Sequence, residues 1–265
     1  MGSIMSGGHL SGSRWILTRP RNRAASWCDA LTIEGAEVLL APALELVEAE
    51  SESVRSSLAN FSQDGLLVFT SATTVQHFFS LIEQEDHHHL KSVHWAAVGP
   101  ATAAAIRAGG YEVDVEGQGM GAEELVTQVI STFNRCEVIH YTSDAGLPII
   151  IDRLSAAEFT TSRVEASKTQ VEADLDPKSW KTDVQGSWSG IIFSSPASVR
   201  AVLSRAGDTK DSLLEVPAVA AGVTTANELQ VQGWAQIEIA ERATSTDLVV
   251  ACANLLGGGT MKWSK

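Results

Sequence analysis

The sequence predicts an α/β protein made of two similar, doubly wound parallel-sheet halves. Three observations carry that expectation. Short apolar runs alternate with helical stretches and turn signals along the whole chain, the pattern of strands covered on both faces. The stretch 98–113, VGPATAAAIRAGGYEV, follows an apolar run at 93–97 and reads as a turn, an Ala-rich helix, a glycine stop and a strand. A second copy lies at 220–239, in which Gly222, Thr225 and Gly233 match Gly99, Thr102 and Gly110 at a constant offset of 123.

Taken in order, 14–17 is an apolar strand closed by Thr18-Arg19-Pro20, 24–33 a helix stopped at Glu34-Gly35, and 37–40 the return strand. Short connections make this a β-α-β unit of a parallel sheet. Residues 44–50 alternate and are expected to be extended, and 54–61 helical. A buried strand at 66–69 and an amphipathic helix at 73–82 follow, then a polar loop at 83–89. The first copy supplies a helix at 101–108 and an alternating strand at 111–115, with a helix at 122–133 beyond. The pattern then restarts: strand 137–141, helix 148–154, return strand 162–169, a further extended piece 169–174 and a polar connection 180–188. A buried strand at 190–193, a helix from Pro196 through Leu203, a strand at 216–221 and the second copy follow.

Bulk composition narrows the function. A net charge of −13 opposes general nucleic-acid binding and docking on an anionic membrane. It also opposes long-range steering of an acidic substrate, so local dipoles and a few arginines must act instead. Three scattered cysteines without a C-x-x-C fit a reducing compartment, and no apolar run is long enough to span a bilayer. Residues 1–13, rich in Gly and Ser, read as a flexible leader without a signal pattern. The expected location is the cytoplasm, or an organellar stroma if a targeting peptide has been trimmed.

In doubly wound sheets, ligands bind outside the carboxyl ends of the strands. Here those ends are Thr18-Arg19, Thr70-Ser71, 99–102, Ser143, Ser194-Ser195 and 222–225, nearly all Ser, Thr or Gly. Thr102 lies in the first turn of its helix, where free N–H groups and the positive dipole end favour an anion. The same residues have plainer readings: Ser71 and Ser195 as helix caps, Thr102 and Thr225 as back-bonding threonines, Arg19 as a surface arginine. His87-His88-His89 are adjacent and cannot all converge on one ion, so no metal is expected. The run 186–190, GSWSG, has Trp188 where a nucleophile elbow needs serine. Gly117-x-Gly119-x-x-Ala122 fits a relaxed dinucleotide fingerprint and is the rival signal, that of an oxidoreductase.

LTRP (17–20), FTSATTVQHF (69–78), AVGPATAAAIRAGG (97–110), FSSPASV (193–199) and VTTANELQVQG (223–233), in this order, resemble the uroporphyrinogen-III synthase family over about 14–256. The resemblance implies a chain that leaves its first domain, builds the second and returns. The domains would be 14–43 plus 175–256, and 51–163. The crossings at 44–50 and 164–174 would form a two-stranded antiparallel ladder. It further implies a monomeric, cofactor-free lyase that closes hydroxymethylbilane, with loss of water and inversion of the last ring. Arg19, Ser71, Thr102, Ser195 and Thr225 would then hold substrate carboxylates. Many family members carry tyrosine in the return strand, proposed to assist loss of the hydroxyl. Here Ser167 stands at that place, and Tyr141 is the nearby alternative. The second copy also has Val223 where Pro100 stands in the first. The other class of function is a non-catalytic module that clamps an anion or tetrapyrrole.

Overall fold

The computed structural model describes residues 8–180 and 187–257. In chain order the elements are β1 (Arg14–Leu17), α1 (Arg21–Ile33), β2 (Glu37–Leu40), β3 (Leu44–Glu48), α2 (Ser51–Leu58), β4 (Leu66–Phe69), α3 (Ala72–Leu81), α4 (Asp86–Leu90), β5 (His94–Ala97), α5 (Pro100–Ala108) and β6 (Val115–Glu116). They continue as α6 (Ala122–Thr132), β7 (Glu137–Ser143), α7 (Ile149–Ala156), β8 (Thr160–Val171), β9 (Gly190–Phe193), α8 (Pro196–Ala206), α9 (Lys210–Leu214), β10 (Ala218–Ala220), α10 (Val223–Gln232), β11 (Ile237–Ile239) and α11 (Ser245–Gly257). Leu46–Gln170 forms one compact unit, and the chain on either side of it forms the other.

The flanking unit has a sheet in the order β11-β10-β9-β1-β2, with every pair parallel. Its strands are nearly continuous apolar runs because both faces are covered. Ile16, Ile191, Phe193 and Leu229 pack on one side, and Trp15, Trp27, Leu31 and Leu248 on the other. The central unit repeats the plan as β8-β7-β4-β5-β6, again parallel, with β3 beside β8. One face holds an aromatic cluster of Phe69, Phe78, Trp95, Tyr111 and Tyr141. The other holds Val68, Val126, Val138 and Leu154. The internal repeat is therefore distributed crosswise: β1-α1-β2 of the first copy joins β9, β10 and β11 of the second, and the converse holds in the central unit.

Four expectations change. Residues 111–115 form a strand only at their end, because the Tyr111 ring turns in to stack on Trp95 with centroids 4.6 Å apart. The polar loop at 83–89 contains α4, fixed by buried Leu90 and by Asp86, whose carboxylate accepts from the Glu83 N–H at 2.8 Å. The extended pieces expected at 162–169 and 169–174 merge into one strand, β8, which stops at Val171 and has a register shift opposite Thr142/Ser143. The leader is docked from Gly8 onward: Leu10 is buried and its N–H bonds to the Glu34 carbonyl at 3.0 Å. Within the connection at 180–188, Trp188 donates to the Trp180 carbonyl and lies under the Arg14 guanidinium, while 181–186 fall outside the described residues. Among the described residues no helix is long and apolar enough to cross a membrane.

Candidate functional site

In the central unit the carboxyl end of β4 runs into Ser71, the N-cap of α3. Its backbone is extended, and its side chain makes no capping hydrogen bond. The end of β5 runs through Gly99 into α5, where Pro100 occupies the first turn and no side chain caps the helix. Thr102, third in α5, is buried. Two helices thus bring uncapped first turns to one edge of the sheet, where an anion can satisfy their N–H groups.

The same edge carries two histidines that sequence reasoning passed over, beside Ser167, which it had placed at the position of the family's tyrosine. The register shift in β8 turns Ser167 toward α3, where its hydroxyl lies 2.9 Å from His77 Nδ1 and 3.4 Å from Thr74 Oγ1. Ser167 is fully buried, and burial lowers the His77 pKa, partly countered by Glu48. His140, in β7, is buried beside Thr70, with Nε2 3.5 Å from Thr70 Oγ1 and Nδ1 without a partner. Burial, and to a lesser degree Arg163, pushes the His140 pKa down to about 4. Thr74 and His77 stand three and six residues after Ser71, a helical spacing visible within FTSATTVQHF. His140 left no such trace in its apolar strand. Tyr141 faces the aromatic core, fully buried, with its hydroxyl 2.7 Å from Ser57 Oγ and its pKa raised by burial.

In the flanking unit, Thr18 Oγ1 donates to the Ile192 carbonyl at 2.8 Å and ties the end of β1 to β9. Arg19 follows, its guanidinium 3.8 Å over the Trp27 ring and its Nε without a hydrogen-bond partner. Burial and the neighbouring Arg23 lower its pKa. Ser195 is a working cap: its hydroxyl accepts from the Ser198 N–H, and the Ser198 side chain accepts from the Ser195 N–H. Thr225 is the third residue of α10 and buried, as Thr102 is in α5, and α10 likewise has no side-chain cap. So Ser71 and Thr102 sit on the central unit, and Arg19, Ser195 and Thr225 on the flanking one.

The glycines of the dinucleotide fingerprint have a packing role. Gly117 donates its N–H to Ala97 and Gly119 to Val98, and a β-carbon on Gly117 would stand 2.6 Å from the Val98 carbonyl oxygen. They allow the loop after β6 to lie against the loop after β5. The three histidines of α4 separate, with His87 2.5 Å from the Tyr111 hydroxyl and His89 edge-on to Phe61.

Parallel α/β units with Ser, Thr and Gly at their strand ends define a class of protein that binds ligands outside the carboxyl edge of its sheets. The family model described as uroporphyrinogen-III synthase HemD matches residues 26–250, and the chain belongs to that family. A putative uroporphyrinogen-III synthase of Methanothermobacter thermautotrophicus is 27% identical over 251 residues, covering 91% of this chain and 98% of its own. The fold is shared with the uroporphyrinogen-III synthetase of Helicobacter pylori, at TM-score 0.55 and 16% identity, covering 93% of this chain and 99% of that one. A mutant uroporphyrinogen III synthase of Thermus thermophilus reaches TM-score 0.50 at 17% identity over 93% and 96% of the two chains.

Proposed function

We propose that this protein is a uroporphyrinogen-III synthase, a cyclising lyase that converts hydroxymethylbilane to uroporphyrinogen III. The observation that carries the reading is the set of three uncapped helix starts, α3, α5 and α10, with Ser71, Thr102 and Thr225 at them. No side-chain hydrogen bond caps any of the three helices, so their first-turn N–H groups are placed to receive substrate carboxylates. A linear tetrapyrrole with eight carboxylates offers many such contacts. Each hydrogen bond to a charged group contributes about 1.5–3 kcal/mol. Summed, they overcome the unfavourable net charge locally. Because the substrate also closes unaided to the non-inverted isomer, the protein's task is to hold the conformation that closes the other way. Arg19 adds one cation, and Ser195 contributes its remaining lone pair while capping α8.

The two crossings of the chain form an antiparallel ladder in this reading. What supports it is the backbone bonding around β3: Ala43 accepts from Glu172, and six residues on, Ala49 donates to Ala166, six residues back. The domains are then 14–43 plus 175–256, and 51–163, in a monomer that acts in the cytoplasm.

One observation favours a second reading. Ser167 replaces the tyrosine common in the family, and Tyr141 is sealed in the core. A module that binds tetrapyrrole without closing it fits that loss. Supplying hydroxymethylbilane and separating the product isomers decides: type III product supports the synthase, whereas type I alone at the spontaneous rate supports the binding module.

A further inference from the structure

We propose that His77 is the base that takes the ring proton during closure, held in its reactive tautomer by Ser167. This rests on the synthase reading. The direction assigned to the pair follows from the Thr74 contact. The Ser167 hydroxyl donates toward Thr74 Oγ1 at 3.4 Å, which leaves its lone pairs for the His77 Nδ1–H at 2.9 Å. With Nδ1 protonated, Nε2 carries the free lone pair, and it has no partner among the described residues. Ser167 is fully buried while the imidazole is partly exposed. Thr74 and His77 continue from Ser71 along one side of α3, so the base lies about 9 Å along the helix from its open first turn.

The step balances without a co-reactant. The hydroxymethyl C–O bond breaks with its electron pair on oxygen, which leaves as water with a proton from solvent. The freed methylene carbon bonds to the terminal-ring carbon that already carries the bridge; that older bridge bond breaks, its electrons restoring the ring, and the released bridge carbon bonds to the unsubstituted carbon on the other side of the ring nitrogen, which inverts the ring. The C–H electrons at that last carbon return to the ring, and its proton passes to His77 Nε2 and on to solvent. The charged group nearest in effect to His77 is Glu48 of β3. On the other elements around α3, Arg55 of α2 pairs with Glu83, Arg107 of α5 with Glu116, and Lys168 of β8 with Glu50, while Tyr141 of β7 bonds to Ser57.

His77→Asn keeps an N–H that can reach Ser167 and removes the base; His77→Gln is the second variant should the first misfold. Both are expected to lower kcat by 10- to 100-fold with KM within about 3-fold and to abolish the acid limb of the pH–rate profile. Ser167→Ala is expected to cost less and to move that limb. In wild-type protein without substrate, nitrogen-detected NMR is expected to show His77 protonated at Nδ1 and titrating below 6.5. Wild-type kcat and an unchanged acid limb in either His77 variant overturn the proposal, as does an Nε2–H tautomer. Failure of the wild-type protein to form type III isomer overturns the synthase reading instead, and the NMR experiment then still decides whether the pair is poised as described.

Discussion

Gly99 and Gly119 meet backbone to backbone: a β-carbon on Gly99 would stand 3.0 Å from Gly119 Cα and 3.1 Å from its nitrogen. Gly222, its counterpart in the second copy, would meet nothing within 4 Å. Both glycines are extended, with φ near 180°, so the difference is one of space and not of backbone strain.

Gly99→Ala is therefore expected to destabilise the central unit by about 1–3 kcal/mol through overpacking. Gly222→Ala should change stability by no more than about 0.5 kcal/mol. Urea unfolding of the two variants checks this, and equal losses would contradict the packing argument.

Tyr141→Phe removes a buried hydroxyl that bonds to Ser57. It is expected to cost about 1 kcal/mol of stability and to leave turnover unchanged. A large loss of kcat with unchanged melting temperature would return Tyr141 to the catalytic machinery.

His140 makes stability depend on pH. Its folded pKa of about 4 lies below the ordinary value of 6.5. Above 6.5 both states are neutral and the full stability is present. As pH falls, the unfolded chain takes up a proton that the folded chain refuses, so stability declines progressively toward pH 4. The span corresponds to about 3 kcal/mol. His77 adds a loss of the same sign. Unfolding free energies from pH 7 to 4 for wild type and His140→Gln check this; equal slopes would contradict it.

Much of the fold was legible because parallel strands buried on both faces leave apolar runs, and helix starts leave Gly, Pro, Ser and Thr. That is how Thr102 and Thr225 could be paired before their burial was seen. The repeat alone did not reveal which strands pair, since β1 and β7 look alike and partner choice is a property of the sheet. The resemblance to a family supplied the crossed arrangement. Ser167 gave no positional clue because a register shift decides which way it faces. His140 was hidden because a polar residue inside an apolar strand carries no periodic signature. Leu10 was missed because one apolar residue among glycines and serines is a weak signal, although a single buried side chain docks the segment.

The central claim is that uncharged donors at the helix starts impose the inverted closure. Its most direct test is the ratio of type III to type I product from a Ser71→Ala, Thr102→Val, Thr225→Val variant that melts within a few degrees of wild type. The account expects turnover to fall at least about 100-fold, corresponding to about 2.7 kcal/mol, with the product dominated by the spontaneous type I isomer. Wild-type turnover to type III isomer by that variant would contradict it.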